Sequence, residues 1–225
     1  MATAETGAKT RDRSLAATLW YRAVQCVVSV TLAAFFGIRI TGRANIPRSG
    51  AALLVSNHLS HLDVFVLGIF VSRPLNYVAR STLFVPGVGA FIRSVGGFPI
   101  QREGLGASGM KETLRRLKHG GIVTLFPEGT RSSDGELAEI KAGISLLATR
   151  ARVTIIPAAV AGTFEAWPKH RRFPLSHALR VHFGPPIGPD EAAEIGPNAL
   201  TQVIRDRLLD GQRVARAGLS RDLGR

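Results

Sequence analysis

Ala51-Ala52-Leu53-Leu54-Val55-Ser56-Asn57-His58-Leu59-Ser60-His61-Leu62-Asp63, running on into Val64-Phe65-Val66-Leu67-Gly68-Ile69-Phe70, is the stretch on which the fold turns. Residues 51–55 form a short apolar run behind Gly50, as a buried strand does. The second apolar run opens a helix. A polar cluster between two buried elements lies where α/β proteins bind ligands, just beyond a strand's end.

Within that cluster His58 and Asp63 are five positions apart, about 140° apart on one regular helix, so they would not share a face. With His58 in the turn and Asp63 in the first helical turn they converge. The aspartate then fixes the imidazole tautomer and leaves the other ring nitrogen free to take a proton. Three plainer readings compete at this point. Ser60-x-x-Asp63 fits a capping box, either histidine could be a packed core residue, and His58-x-x-His61-x-Asp63 could ligate a metal.

Upstream, residues 1–13 are small, polar and charged and read as a mobile tail, with basic density at Lys9, Arg11 and Arg13. Leu15 to Ile38 is apolar, interrupted by Arg22 and Gln25. The uncharged run 23–38 falls just short of the roughly 17–25 residues that span a bilayer. A signal peptide and a buried core helix are alternatives; the preferred reading is a helix lying in the membrane interface, with Trp20 and Tyr21 at headgroup level. The first unit is thus 1–38, tail plus anchor, and the second is a catalytic domain over 39–225.

The chain carries a formal net charge of +13, 45% hydrophobic residues, 7% aromatics and one cysteine, Cys26. Disulfides within the chain are excluded. The charge calls for a polyanionic partner. With few aromatics and no zinc-finger, RNP-like or basic-zipper pattern, an anionic membrane surface fits better than nucleic acid.

Downstream, strands are predicted at Ile38–Thr41, Leu75–Ala79, Ile122–Phe126, Val153–Ala158 with Pro157 near its end, and Leu179–Phe183. Ser108 caps a helix that Gly120-Gly121 ends. Glu136–Ala151 reads as a helix with Ile140, Ile144 and Leu147 inward, and a last helix covers about Ala199–Ala217. Alternating elements give a single α/β domain with a largely parallel or mixed sheet flanked by helices, plus the N-terminal apolar helix. Two more polar clusters close predicted extended segments. Gly97-Phe98-Pro99-Ile100-Gln101-Arg102 delivers a cation, and Phe126-Pro127-Glu128-Gly129-Thr130-Arg131-Ser132 suits an oxyanion or phosphate. A solvated loop with a local Glu128–Arg131 pair is the plain alternative for the second.

Taken together, Asn57-His58-(four residues)-Asp63, the 97–102 and 126–132 clusters and Ile155-Ile156-Pro157-Ala158, approached by Gly42-x-x-Asn45-Ile46-Pro47, resemble the glycerolipid acyltransferase family. The likeness covers about Ile40 to Ile187 and is greatest to the 1-acyl-glycerol-3-phosphate acyltransferases. Gln101, Pro99 and Arg80 depart from the usual pattern. The resemblance implies acyl transfer from acyl-CoA or acyl-carrier protein to the free hydroxyl of a lysophospholipid acceptor, at the cytoplasmic face of a membrane. It implies no cofactor, no metal and no covalent acyl-enzyme. His58 would be the general base and Asp63 its orienting partner. Arg102 and Arg131, helped by Lys141, would hold the acceptor phosphate, while Glu128, Gly129 and Thr130 complete the acceptor site. A lipid hydrolase or a non-enzymatic basic binding module are the competing classes. The first lacks a visible nucleophile or ligand cluster, and the second leaves the strand-end polar residues unexplained.

Overall fold

The structure, a computed structural model, describes residues 14–100 and 106–224. The tail at 1–13 and Arg102 lie outside the described residues. Seven strands form one sheet: β1 (Ile38–Thr41), β2 (Ala52–Ser56), β3 (Leu75–Arg80), β4 (Phe98–Ile100), β5 (Ile122–Leu125), β6 (Thr154–Ala161) and β7 (Leu179–Phe183). Their order is β1-β7-β6-β2-β5-β3-β4. Every neighbouring pair is parallel except β6–β7. The mixed sheet expected from the alternation of elements is therefore present. β2 sits near its middle, and the C-terminal ends of β2, β5, β3 and β4 open on one edge.

Helices cover both faces. They are α1 (Leu15–Phe35), α2 (Leu62–Phe70), α3 (Val88–Ser94), α4 (Gly106–Lys118), α5 (Gly143–Ala151), α6 (Thr163–Ala166) and α7 (Pro189–Asp222). Because successive strand residues point to opposite faces, Leu54 joins a core with Leu62, Val66, Leu67 and Ile156. Its neighbours Leu53 and Val55 join another with Leu147, Ile155, Leu200 and Ile204. This two-sided cover is why β2 is buried at every position while β7 alternates. Each fully buried leucine or isoleucine contributes about 1.5–3 kcal/mol of burial.

The structure departs from the sequence reading at several points. The helix expected over Glu136–Ala151 begins only at Gly143. Residues 136–142 are a loop whose amides serve other partners: Ala138 N–H donates to Glu128 Oε2 and Lys141 N–H to the Pro127 carbonyl. Ile140, Ile144 and Leu147 are nonetheless buried. Ser108 lies inside α4 rather than capping it. Pro157 stands mid-way along β6, not near its end. There the Ile155–Ile187 bridge and the Ala158–Phe183 pair enclose one extra residue on the β7 side, a bulge beside which the missing proline N–H disturbs no regular ladder. α7 starts ten residues before the predicted helix and breaks at Gly196, with φ 74°, ahead of Pro197.

α1 is also more firmly docked than an interfacial helix need be. Tyr21 is buried, not at a headgroup level, and its hydroxyl accepts from Leu75 N–H at 3.1 Å. Gln25 donates to the carbonyls of Gly68 and Val71 at 2.7 and 3.0 Å, satisfying the C-terminus of α2. Arg22 reaches the Ser72 carbonyl. Trp20 remains half-exposed, its indole N–H donating to Ser94 Oγ at 2.9 Å.

Candidate active site

The turn between β2 and α2 is held by side chains that imitate backbone. Asn57, buried one residue past β2, donates to the Val160 carbonyl at 3.0 Å and accepts from Val160 N–H at 2.8 Å, prolonging the pairing with β6. Asp63 is fully buried in the first turn of α2. Its Oδ2 accepts from Leu59 N–H at 2.6 Å, from Ser60 N–H at 2.7 Å and from His58 Nδ1 at 2.8 Å. Half of the expected capping box is present, Asp63 reaching back to Ser60 N–H, while the Ser60 hydroxyl accepts from Leu62 N–H and donates to the Trp167 carbonyl; the same carboxylate serves the histidine. Nδ1 donates to the carboxylate, so the proton sits there and Nε2 keeps a free lone pair. Phe126 stacks on the imidazole, centroids 3.9 Å apart and planes 16° apart, which fixes the ring's second degree of freedom. The His58 side chain keeps 17% of its surface, enough to meet a substrate.

The His61 ring is tilted against that of Trp167, centroids 5.5 Å apart. Partial burial, then the charges of Arg131 and His58, lower its pKa, against a smaller opposing pull from Asp63. Among the described residues no three His, Cys, Asp or Glu side chains are grouped to hold a metal ion.

The loop beyond β5 locks onto this turn. Glu128, 5% exposed, accepts from His58 N–H through Oε1 at 2.7 Å and from Ala138 N–H through Oε2 at 3.0 Å. Ser132 N–H in turn donates to the His58 carbonyl at 2.7 Å. Burial raises the Glu128 carboxyl above the ordinary glutamate range; the hydrogen bonds from Ala138 and His58 oppose this and are outweighed. The local Glu128–Arg131 ion pair, the plain reading of this loop, is not formed among the described residues, since both Glu128 oxygens are spent on backbone.

Arg131 is left facing His61 and Asp63 from the edge of the site. Partial burial, and then the charge of Arg80, lower its pKa while Asp63 raises it. Arg80, at the C-terminal end of β3, points its guanidinium at the Gly129 carbonyl, 3.4 Å away. Gly129 has φ 72°, a conformation that favours glycine, and its bare Cα lets Lys141 Nζ come close: a Cβ there would sit 2.8 Å from it. Arg80 and Lys141 thus approach Gly129, and Arg131 is near enough to Arg80 to feel its charge; among the described residues none of the three has a carboxylate within ion-pair distance. Thr130 is exposed at the same rim. Arg80, noted in the sequence as a departure from the family pattern and given no role there, is the cation that the fold adds; a cation closing a strand was the available signal. Leu62 and Phe65 of α2 join Val28, Leu32 and Leu175 around an apolar groove of about 420 Å³.

This geometry can be set beside known proteins. The family model described as Acyltransferase matches residues 37–161, from β1 to the end of β6. The chain belongs to the acyltransferase family. The acyltransferase is 32% identical over 71% of its length to the chloroplastic 1-acyl-sn-glycerol-3-phosphate acyltransferase of Arabidopsis thaliana, of which it spans 46%. Over 63% of its length it is 29% identical to the 1-acyl-sn-glycerol-3-phosphate acyltransferase of Bacillus subtilis, spanning 71% of that protein. In fold it matches the solved 1-acyl-sn-glycerophosphate acyltransferase of Thermotoga maritima with a TM-score of 0.75 at 23% identity, covering 94% of this chain and 83% of that one. Of the expected site residues, the acyltransferase fold gathers His58, Asp63, Glu128, Gly129, Thr130, Arg131 and Lys141 along one sheet edge, while Arg102 lies outside the described residues.

Proposed function

We propose that the acyltransferase moves a fatty acyl group from an acyl thioester, acyl-CoA or acyl-carrier protein, to the free hydroxyl of 1-acylglycerol-3-phosphate, giving phosphatidic acid. The observation that carries this reading is the His58–Asp63 pair beside three cations without a carboxylate partner among the described residues. The names of the Arabidopsis and Bacillus relatives support the choice of acceptor.

In the reaction, His58 Nε2 removes the acceptor's hydroxyl proton as its oxygen attacks the thioester carbonyl. The buried Asp63 carboxylate stabilises the imidazolium so formed. A carbon–oxygen bond forms, the carbon–sulfur bond breaks, and the proton passes from His58 to the departing thiolate. Arg131, Arg80 and Lys141, joined by Arg102, hold the acceptor phosphate, for which guanidinium forks are well matched. The apolar groove beside Leu62 takes an acyl chain. Glu128 serves as a brace between the two loops and does not itself touch the acceptor.

Residues 39–225 form the catalytic unit, and 1–38 attach it to the membrane's cytoplasmic face. α1 has the length and composition to cross a membrane, and only 11% of its most apolar window is buried. Its Tyr21–Gln25 side is tied to the domain, which suits a helix lying along the interface.

The test supplies acyl-CoA with and without 1-acylglycerol-3-phosphate, following thiol release and phosphatidic acid by mass spectrometry. Thiol release that needs the lysolipid and matches phosphatidic acid formed is the expected result. Equal release without lysolipid, with free fatty acid as product, would mean a hydrolase. Equal rates on lysophosphatidylcholine, whose phosphate is a choline diester, would remove the phosphomonoester acceptor from the proposal. Arg131→Ala is expected to raise the acceptor KM with a smaller effect on kcat, because the contact exists in ground and transition states alike. Lysine at that position should recover only part. An unchanged acceptor KM in both variants would reject the phosphate role.

A further inference from the structure

Residues 81–94 display apolar side chains to solvent in a way that core packing does not explain. Leu83, Val85, Val88 and Phe91 are 46%, 51%, 52% and 47% exposed. The segment is not loose. Phe84 N–H donates to the Ser81 carbonyl, Gly89 N–H to Val85 and Phe91 N–H to Gly87, at 3.0, 2.7 and 3.1 Å. Gly89 packs so closely that a Cβ there would lie 2.8 Å from Phe84 Cα. A rigid turn holding four bulky apolar groups outward is a surface in its own right.

Two further observations say what covers it. The Trp20–Ser94 hydrogen bond ties α3 to the N-terminal half of α1, where Leu15 and Leu19 are also exposed. The charge along these two segments is one-sided: residues 14–36 and 75–100 contain no acidic residue, against Arg22, Arg80 and Arg93. Arg93 lies over the Phe84 ring at 4.6 Å, between the apolar turn and solvent. Apolar groups fringed by cations with no exposed carboxylate match an anionic bilayer surface.

We infer that Leu83–Phe91 is a second membrane-contacting element, which enters the anionic leaflet beside α1. It begins three residues after Arg80, so its insertion sets the cations around Gly129 at headgroup depth. That last consequence rests on the phosphate-acceptor reading above, whereas the contact itself does not.

The experiment uses the full chain. Val85→Asp with Val88→Asp is compared with the parent by flotation on vesicles of mixed zwitterionic and anionic lipid. Binding should fall roughly tenfold or more, as burial of two valines is lost, while thermal unfolding stays unchanged. As a second reading, Val88→Cys in a Cys26→Ser background is labelled with an environment-sensitive fluorophore. Adding anionic vesicles should raise and blue-shift its emission. Unchanged flotation of the double variant, or a label that stays in water on bound vesicles, overturns the inference. So does a parent that is dimeric in solution and a double variant that is monomeric yet binds vesicles equally, since the face would then be a contact between copies. Both readouts are independent of acyl transfer, so a failed acceptor assignment leaves them interpretable.

Discussion

His58→Ala is expected to lower turnover by about 10²–10⁴-fold, the usual contribution of a positioned general base, in a protein that still folds. Among the described residues the side chain's hydrogen bond is to Asp63, and it stacks on Phe126. Truncation therefore removes the proton acceptor and one stacked ring at a partly open site. Asp63 keeps the Leu59 and Ser60 amides, so the turn retains its cap. His61→Ala should do far less, because that imidazole stands against Trp167 and not on the carboxylate. Steady-state rates and thermal unfolding of both variants check this. Equal and mild losses would remove His58 from the base role, and a loss accompanied by unfolding would mean that the stacking had been undervalued.

Why the β2–turn–α2 unit was legible, and its partners less so, follows from where each contact is made. His58 and Asp63 meet within eight residues, so strand end, cap and spacing suffice. Residues 136–151 deceived the helical period because Leu137, Ile140, Ile144 and Leu147 are all buried, yet the amides of Ala138 and Lys141 answer to the loop at 127–128. No local pattern reports a claim of that kind. Tyr21 shows the same limit: an aromatic with a polar tip suits a headgroup layer and a buried partner equally, and the Leu75 amide decided between them. Arg80 entered the site because β3 neighbours β5, which neighbours β2. That strand order is a tertiary fact which periodicity does not contain.

The second large effect is expected at Glu128. Glu128→Ala leaves the amides of His58 and Ala138 without their carboxylate; Ala138 is exposed and its N–H can turn to water, while the half-buried His58 N–H is the costly loss, about 1–3 kcal/mol. Activity should fall too, because the His58 backbone loses its tie to the loop, and a displacement on the order of 1 Å can cost about 10²-fold. The kinetic form of the loss separates bracing from acceptor binding. A brace lowers kcat and leaves the acceptor KM nearly unchanged, whereas a residue touching the glycerol would raise KM. Glu128→Gln should be intermediate, since one amide oxygen can still accept but its NH₂ must face an N–H. Stability against pH gives an independent reading. With its pKa raised in the folded state, the Glu128 contribution is fully present below the ordinary glutamate value and is lost as pH rises through the folded value. The stability advantage of the parent over Glu128→Gln should therefore grow as pH is lowered toward 4.5, the unperturbed value. A pH-independent difference between them, or a rise in acceptor KM at constant kcat, would return Glu128 to the acceptor site.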